Sequence, residues 1–146
     1  MKQRDRVTMT ADETSAFLAG SRKLQLATLN PDGAPHLVTM FYVMRDGQIA
    51  FWTYRSAQKA RNLARDPRVT CLVEAGEEYF ELRGVQVVGS VRRIEDPARV
   101  LEIGRRLAGR HRDPVALLHW LNPIVSVASA SVSSHAKPAG AGSAVA

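Results

Sequence analysis

The stretch Lys23–Met44, "KLQLATLNPDGAPHLVTMFYVM", decides the fold. Its first part, "KLQLATLN", has a strand pattern, and the "NPDG" that follows supplies Pro31, Asp32 and Gly33, residues that a tight turn asks for. The β-rich run "APHLVTMFYVM" then returns, so the segment predicts a hairpin. Turn chemistry recurs in "RDG", Arg45 to Gly47, and delivers a third strand, "QIAFWTY", making a meander of adjacent strands.

Further along, "RVTCLVEA" reads as a fourth strand, "GEE" as a turn, and "YFELRGVQVVGSVRRI" as a long fifth strand in which Gly84 and Gly89 predict a bulge or bend. A sixth strand is expected from the alternation in "IVSVASASV". Helices flank these strands. Thr10 with Glu13 forms a capping-box pattern and Gly20 marks the exit of a first helix; Asp96 and Pro97 open another, with Val100, Leu101, Ile103 and Leu107 near one face. "DPVALLHWL" is a shorter helical segment stopped by Asn122 and Pro123. The chain divides into one domain, 1–133, and a low-complexity tail, 134–146, expected to be flexible. Strands joined as hairpins with helices outside them give a mainly β fold with α additions, a six-stranded antiparallel barrel and not a βαβ sheet.

At 146 residues the chain is long enough to bury a core without disulfides. The single cysteine, Cys71, lies in an apolar strand run and reads as a core residue, in keeping with a reducing compartment. No apolar run reaches the length of a membrane span and no signal peptide is visible, so a cytoplasmic protein is expected. His111 and His119 stand eight apart with no acidic or cysteine partner at ligand spacing, so no metal site is expected. Lys plus Arg number 20 against 14 acids, a net charge of +6, and sixteen of the cations are Arg, which suits an anionic partner.

Cationic residues concentrate in "TYRSAQKARNLARDP", Thr53 to Pro67, which reads as a short helix capped by Ser56 and stopped by Asp66 and Pro67. Ala57, Ala60, Leu63 and Ala64 form an apolar stripe that can lie low on the sheet, and Lys59 and Asn62 stand three apart on one side. The unpaired N–H groups of such a helix start, with Arg55, Ser56 and Lys59 beside them, make a phosphate site.

Four pieces, "LATLNPDGAPHLVTMFYV", "DGQIAFWTY", "QKARNLARDPRVTCLVE" and "LRGVQVVGSV", resemble in order and spacing the split β-barrel flavin and deazaflavin oxidoreductases related to pyridoxamine phosphate oxidase, especially their coenzyme F420-dependent branch. The resemblance runs from Thr10 to Asp96. It implies a homodimer with cofactor clefts at the subunit interface and a small organic molecule as hydride acceptor. Lys59 matches the family's phosphate-contacting lysine and Asn62 the asparagine one turn later; Ser56, Ala57, Gln58 and Arg55 surround them. Thr39, Met40 and Phe41 match the strand along the cofactor ring, and Thr53 ends the next strand. The chain departs from the family at Ala57, where members often carry Ser or Arg, and at "SVSSHAKPAG", where the F420 branch tends to have a Trp-Asp-His segment.

F420 is more anionic at its far end than flavin mononucleotide (FMN), and Arg55, Arg61, Arg65 and Arg68 are placed to extend a positive track along that end. An FMN-binding oxidoreductase or oxidase of the same fold is the alternative; pyridoxamine phosphate oxidation itself lacks its C-terminal Trp and Arg signature here. Tyr42, Tyr54, Tyr79 and His36 are the candidate proton donors. Two other classes share the basic composition: a nucleic-acid-binding barrel, which asks for exposed aromatics interleaved with cations, and a non-catalytic cofactor-binding protein.

Overall fold

The hairpin predicted at "NPDG" joins β1 (Lys23–Leu29) to β2 (Pro35–Phe41), paired antiparallel from Lys23 with Phe41 to Leu29 with Pro35. Gly33 takes φ 84° and donates its N–H to the Asn30 carbonyl at 2.9 Å, while an Asp32 carboxylate oxygen accepts the Ala34 N–H at 3.0 Å. The structure, a computed structural model, describes residues 8–110 and the backbone of 123–136. The helical segment expected at "DPVALLHWL" lies outside these residues, as does the expected tail 134–146 from 137 on, while 134–136 belong to the last strand.

The run "APHLVTMFYVM" does not form one strand. It breaks at Tyr42, and the chain continues as β3 (Val43–Arg45), which pairs with β4 (Gln48–Tyr54) through a two-residue turn with Asp46 at φ 50° and Gly47 at φ 73°. Tyr42 is 1 % exposed, gives its N–H to the Arg22 carbonyl at 3.1 Å and donates its hydroxyl to the Leu18 carbonyl of α1 (Ala11–Gly20) at 2.6 Å. These bonds hold the residue at the point where the chain leaves β1 and β3 takes up its ladder with β4. This break corrects the expected count from six strands to seven among the described residues.

α2 (Gln58–Arg65) follows β4, and then come β5 (Arg68–Ala75), β6 (Arg83–Ile94), α3 (Pro97–Ala108) and β7 (Pro123–Ala136). All seven strands belong to one antiparallel sheet in the order β2-β1-β5-β6-β7-β4-β3. The sheet curls until β2 approaches β4, but no ladder joins its two ends among the described residues, so the barrel is not closed by pairing. β6 pairs with β5 and β7 in unbroken register through Gly84 and Gly89, so the bulge expected there is absent. Gly76, φ 101°, turns β5 toward β6, and a Cβ on it would lie 2.4 Å from the Glu81 carbonyl oxygen.

Inside the curl, Leu24, Leu26, Ile49, Phe51, Cys71, Val73, Val85 and Val87 form the main core, each fully buried leucine or phenylalanine contributing about 1.5–3 kcal/mol over an exposed one. A second cluster, Val43, Ala50, Ile94, Ile103 and Leu107 with Trp52 against it, lies where α3 covers β3 and β4. α3 starts at Asp96 and Pro97, as the pattern predicts, and α1 closes its capping box with Thr10–Glu13 bonds of 2.7 and 3.2 Å.

A Cβ at Gly104 of α3 would meet the Trp52 ring at 2.2 Å. Gly104→Ala should therefore lower stability by about 1–3 kcal/mol in denaturant unfolding, although alanine is the better helix former; a stabilised variant would contradict the packing of α3. Cys71 is 0 % exposed and burial pushes its thiol up to about 12. The folded protein should leave a disulfide reagent unreacted at pH 8 and consume one equivalent on denaturation. Prompt reaction in the native state would contradict this burial.

Candidate functional site

The chain reverses from β4 into α2 by a turn in which the Ala57 N–H reaches the Tyr54 carbonyl at 3.1 Å. Ser56 falls within that turn and is exposed, so Ala57 takes the N-cap place instead of the expected Ser56, and no side chain caps the helix. With no acidic residue in its first turn, α2 presents uncapped N–H groups and the positive end of its dipole. Lys59, in that first turn, makes no hydrogen bond or ion pair among the described residues; it is half-buried, and desolvation lowers its pKa. An unpaired, partly desolvated ammonium is a group that gains from an anion.

Asn62 points elsewhere. Fully buried, it gives its amide protons to Thr28 Oγ1 and Asn30 Oδ1, both at 3.0 Å, and accepts from Gln58 Nε2 at 2.9 Å. The expected shared side of Lys59 and Asn62 is therefore corrected: Asn62 fastens α2 to β1, with both amide protons committed, and leaves Lys59 outside. Gln58 bridges Asn62 and Arg61, whose Nη2 donates to Gln58 Oε1 at 3.0 Å. Ala60 and Leu63 face the sheet as predicted, whereas Ala64 is exposed.

The track of arginines is also reduced. Arg68 forms a two-pronged bond to Asp66, with Nη2 to Oδ2 at 2.8 Å, which holds the Asp66 carboxyl down to about 2; Arg65 donates to the Leu29 carbonyl and to Asn62 Oδ1. Arg55 and Arg61 remain exposed at the start of α2.

On β4, Thr53 is 6 % exposed and its Oγ1 has no hydrogen-bond partner among the described residues. It ends the strand that leads into the turn before Lys59. Across the open edge, Thr39 and Phe41 of β2 face outward and Met40 inward against the core, so the three do not present their side chains to one ligand. Thr39 Oγ1 donates to Gln25 Oε1 at 3.0 Å. Among the described residues β2 has β1 as its only ladder neighbour, and its other edge faces β4. Of the proton-donor candidates, Tyr42 is withdrawn by its bond to Leu18, and burial pushes its hydroxyl up to about 12. Tyr79 stacks edge-on against Phe80 at the β5–β6 tip, among Glu77, Glu78 and Glu81, a setting that repels nucleic-acid phosphates. The His36 Nδ1 is buried without a partner among the described residues.

The outer face of the sheet divides lengthwise. One register row, Leu37–Ala27–Thr70–Val88, is largely apolar, with Leu37 64 % and Val88 46 % exposed, and beside it lies a groove of about 370 Å³ lined by Leu29, Pro35, Val69 and Gly89 among others. The next row, Thr39–Gln25–Leu72–Gln86, borders a polar cleft of about 390 Å³ that also takes in Ser21, Arg22, Lys23 and Glu74. The composition reading passed over this second cleft, although the adjacent cations of "SRK" before β1 are its one local signal.

No helix among the described residues is long and apolar enough to cross a membrane. No curated protein matches the chain. Among solved structures, a conserved hypothetical protein from Mycobacterium tuberculosis is similar at 34 % identity and TM-score 0.84, covering 93 % of this chain and 90 % of that one. An F420 reductase is similar at 25 % identity and TM-score 0.63, covering 80 % and 92 %. The heme storage protein HutZ from Vibrio cholerae, at 17 % identity and TM-score 0.72 over 86 % and 94 %, shares the fold. Residues 10–133 match the family model described as pyridoxamine 5'-phosphate oxidase, and the chain therefore belongs to that family.

Proposed function

We propose that this protein is an F420-dependent oxidoreductase that holds the cofactor phosphate at the start of α2. The observation that carries the reading is Lys59, a half-buried cation without a partner, in the first turn of a helix that has neither a side-chain cap nor an acidic residue there. Family membership and the likeness to an F420 reductase support it. The buried Thr53 hydroxyl, lacking a partner among the described residues at the end of β4, fits a phosphorylated ribityl chain at the same end. When bound, the deazaflavin supplies a hydride to a small organic acceptor.

This chain's residues bind and orient. Lys59 and the N–H groups of α2 take the phosphate, while Asn62 fixes the helix so that these donors are preset. Thr39 and the free edge of β2 line the place for the ring, and Arg55 and Arg61 keep the entrance positive. FMN presents a phosphate to the same donors and is the second cofactor to test.

The apolar outer row supports a homodimer. An antiparallel sheet face open to water is ordinarily polar, and a patch centred on Leu37 and Val88 calls for cover. A second copy placing the same row against it would put each cofactor entrance beside the interface.

Titration with F420 and with FMN, followed by ligand fluorescence polarisation at low and moderate salt, should show tighter, salt-sensitive binding of F420. Lys59→Ala should weaken it about tenfold or more without lowering Tm, because a hydrogen bond to a charged group is lost while a desolvated cation is removed. Wild-type affinity in that variant would remove Lys59 from the site, and preference for FMN would replace the cofactor. Light scattering should give a dimer that Leu37→Glu shifts toward monomer; a monomeric wild type would end the interface assignment.

A further inference from the structure

We infer that the polar cleft on the outer face is a binding site for a small planar monocarboxylate. The site is built at the junction of α1 and β1, where Ser21, Arg22, Lys23 and Gln25 line one wall, Thr39 stands on β2, and Leu72 and Glu74 on β5. Its backbone is fixed: the Arg22 carbonyl accepts the Tyr42 N–H at 3.1 Å, and Ser21 Oγ donates to the Phe17 carbonyl at 2.8 Å. Its two cations are uncommitted. Neither Arg22 nor Lys23 makes an ion pair or side-chain hydrogen bond among the described residues, and both are exposed. Gln25 uses its amide oxygen on Thr39 Oγ1 at 3.0 Å, an arrangement that leaves its amide nitrogen as a further donor.

Charge and shape select the ligand. Two cations and the single acid Glu74 leave the lining at +1, which matches a carboxylate; a phosphate dianion would carry an unmatched charge beside Glu74. Arg22 offers a planar fork suited to two carboxylate oxygens and Lys23 a point charge. Leu72 on the cleft wall gives an apolar surface for a flat body. Asn62 binds Thr28 at the opposite end of β1, so this cleft is a separate anion site from Lys59. It deepens the cofactor reading, and rests on it only in this: a ligand beside Thr39 would lie next to the ring.

The test is an amide-resolved NMR titration of the full chain with benzoate and with its neutral isostere benzamide. Benzoate should shift the amides of Arg22 to Gln25 and Thr39 saturably, at least about fivefold more tightly than benzamide, and Arg22→Gln or Lys23→Gln should weaken it about tenfold. Both positions are exposed, so the variants should keep the wild-type Tm, and Lys59→Ala should bind benzoate as the wild type does. No saturable shift at these residues, equal binding of benzamide, or loss of benzoate binding in Lys59→Ala would each overturn the assignment. Benzoate binding in a protein that fails to bind F420 would instead leave the cleft standing and remove only the cofactor reading.

Discussion

Tyr42 donates its hydroxyl to the Leu18 carbonyl at 2.6 Å from a site that is 1 % exposed, and this anchoring stands at the point where the chain passes from one end of the sheet to the other. A buried phenol needs a partner, and here the partner is a carbonyl near the end of α1. Tyr42 still gives its N–H to the Arg22 carbonyl beside the start of β1, and from Val43 on the chain takes up a ladder with β4 instead. One residue thus separates the two ends of the sheet order. β2 is left with a free edge facing β4, and the β4–α2 turn lies at the end of that same strand.

The two sides of α2 are treated oppositely. Toward the sheet, every polar group found is satisfied, with Asn62 bonded to Thr28, Asn30 and Gln58. At the helix start the pattern reverses, with no cap, no acid and a half-buried Lys59. Satisfying the first set holds the helix in place; leaving the second set open costs stability, since desolvation disfavours the ammonium. Cost retained at one point while the rest of the helix is well bonded is the arrangement expected of a binding end.

What could be read in the sequence follows from how local each signal is. "NPDG", "RDG", the Thr10–Glu13 box and Asp96–Pro97 fix backbone angles or cap bonds within three or four residues, and all four appear where the pattern places them. The break at Tyr42 was illegible because it depends on which strand lies alongside: the β1 ladder runs out at Lys23 and β4 offers the next one. Gly84 and Gly89 read as bulge signals, yet β6 has paired strands on both sides and the register runs through them. Ser56 has the chemistry of a cap, but the turn from β4 consumed it. For Asn62, Arg65 and Arg68, residue type showed a capacity for polar bonds without showing the partner, and the fold supplied Thr28, Leu29 and Asp66.

The outer face shows how one sheet surface can serve two kinds of contact. In a strand, side chains two apart share a face, so each register row is a separate choice of chemistry. Moving along β1 on the outward side gives Lys23, Gln25, Ala27 and Leu29, from cationic through amide to apolar, and the paired β2 residues run Phe41, Thr39, Leu37 and Pro35 beside them. The gradient follows the strand axis and is not random along it. An apolar end favours another protein surface, because water gains nothing by contact with Leu37 and Ala27, and a cationic end favours a small anion that a flat interface would exclude. With β2 carrying both ends, a subunit docked on the apolar rows would border the polar cleft, and closure of the interface and shape of the ligand site become properties of the same strand.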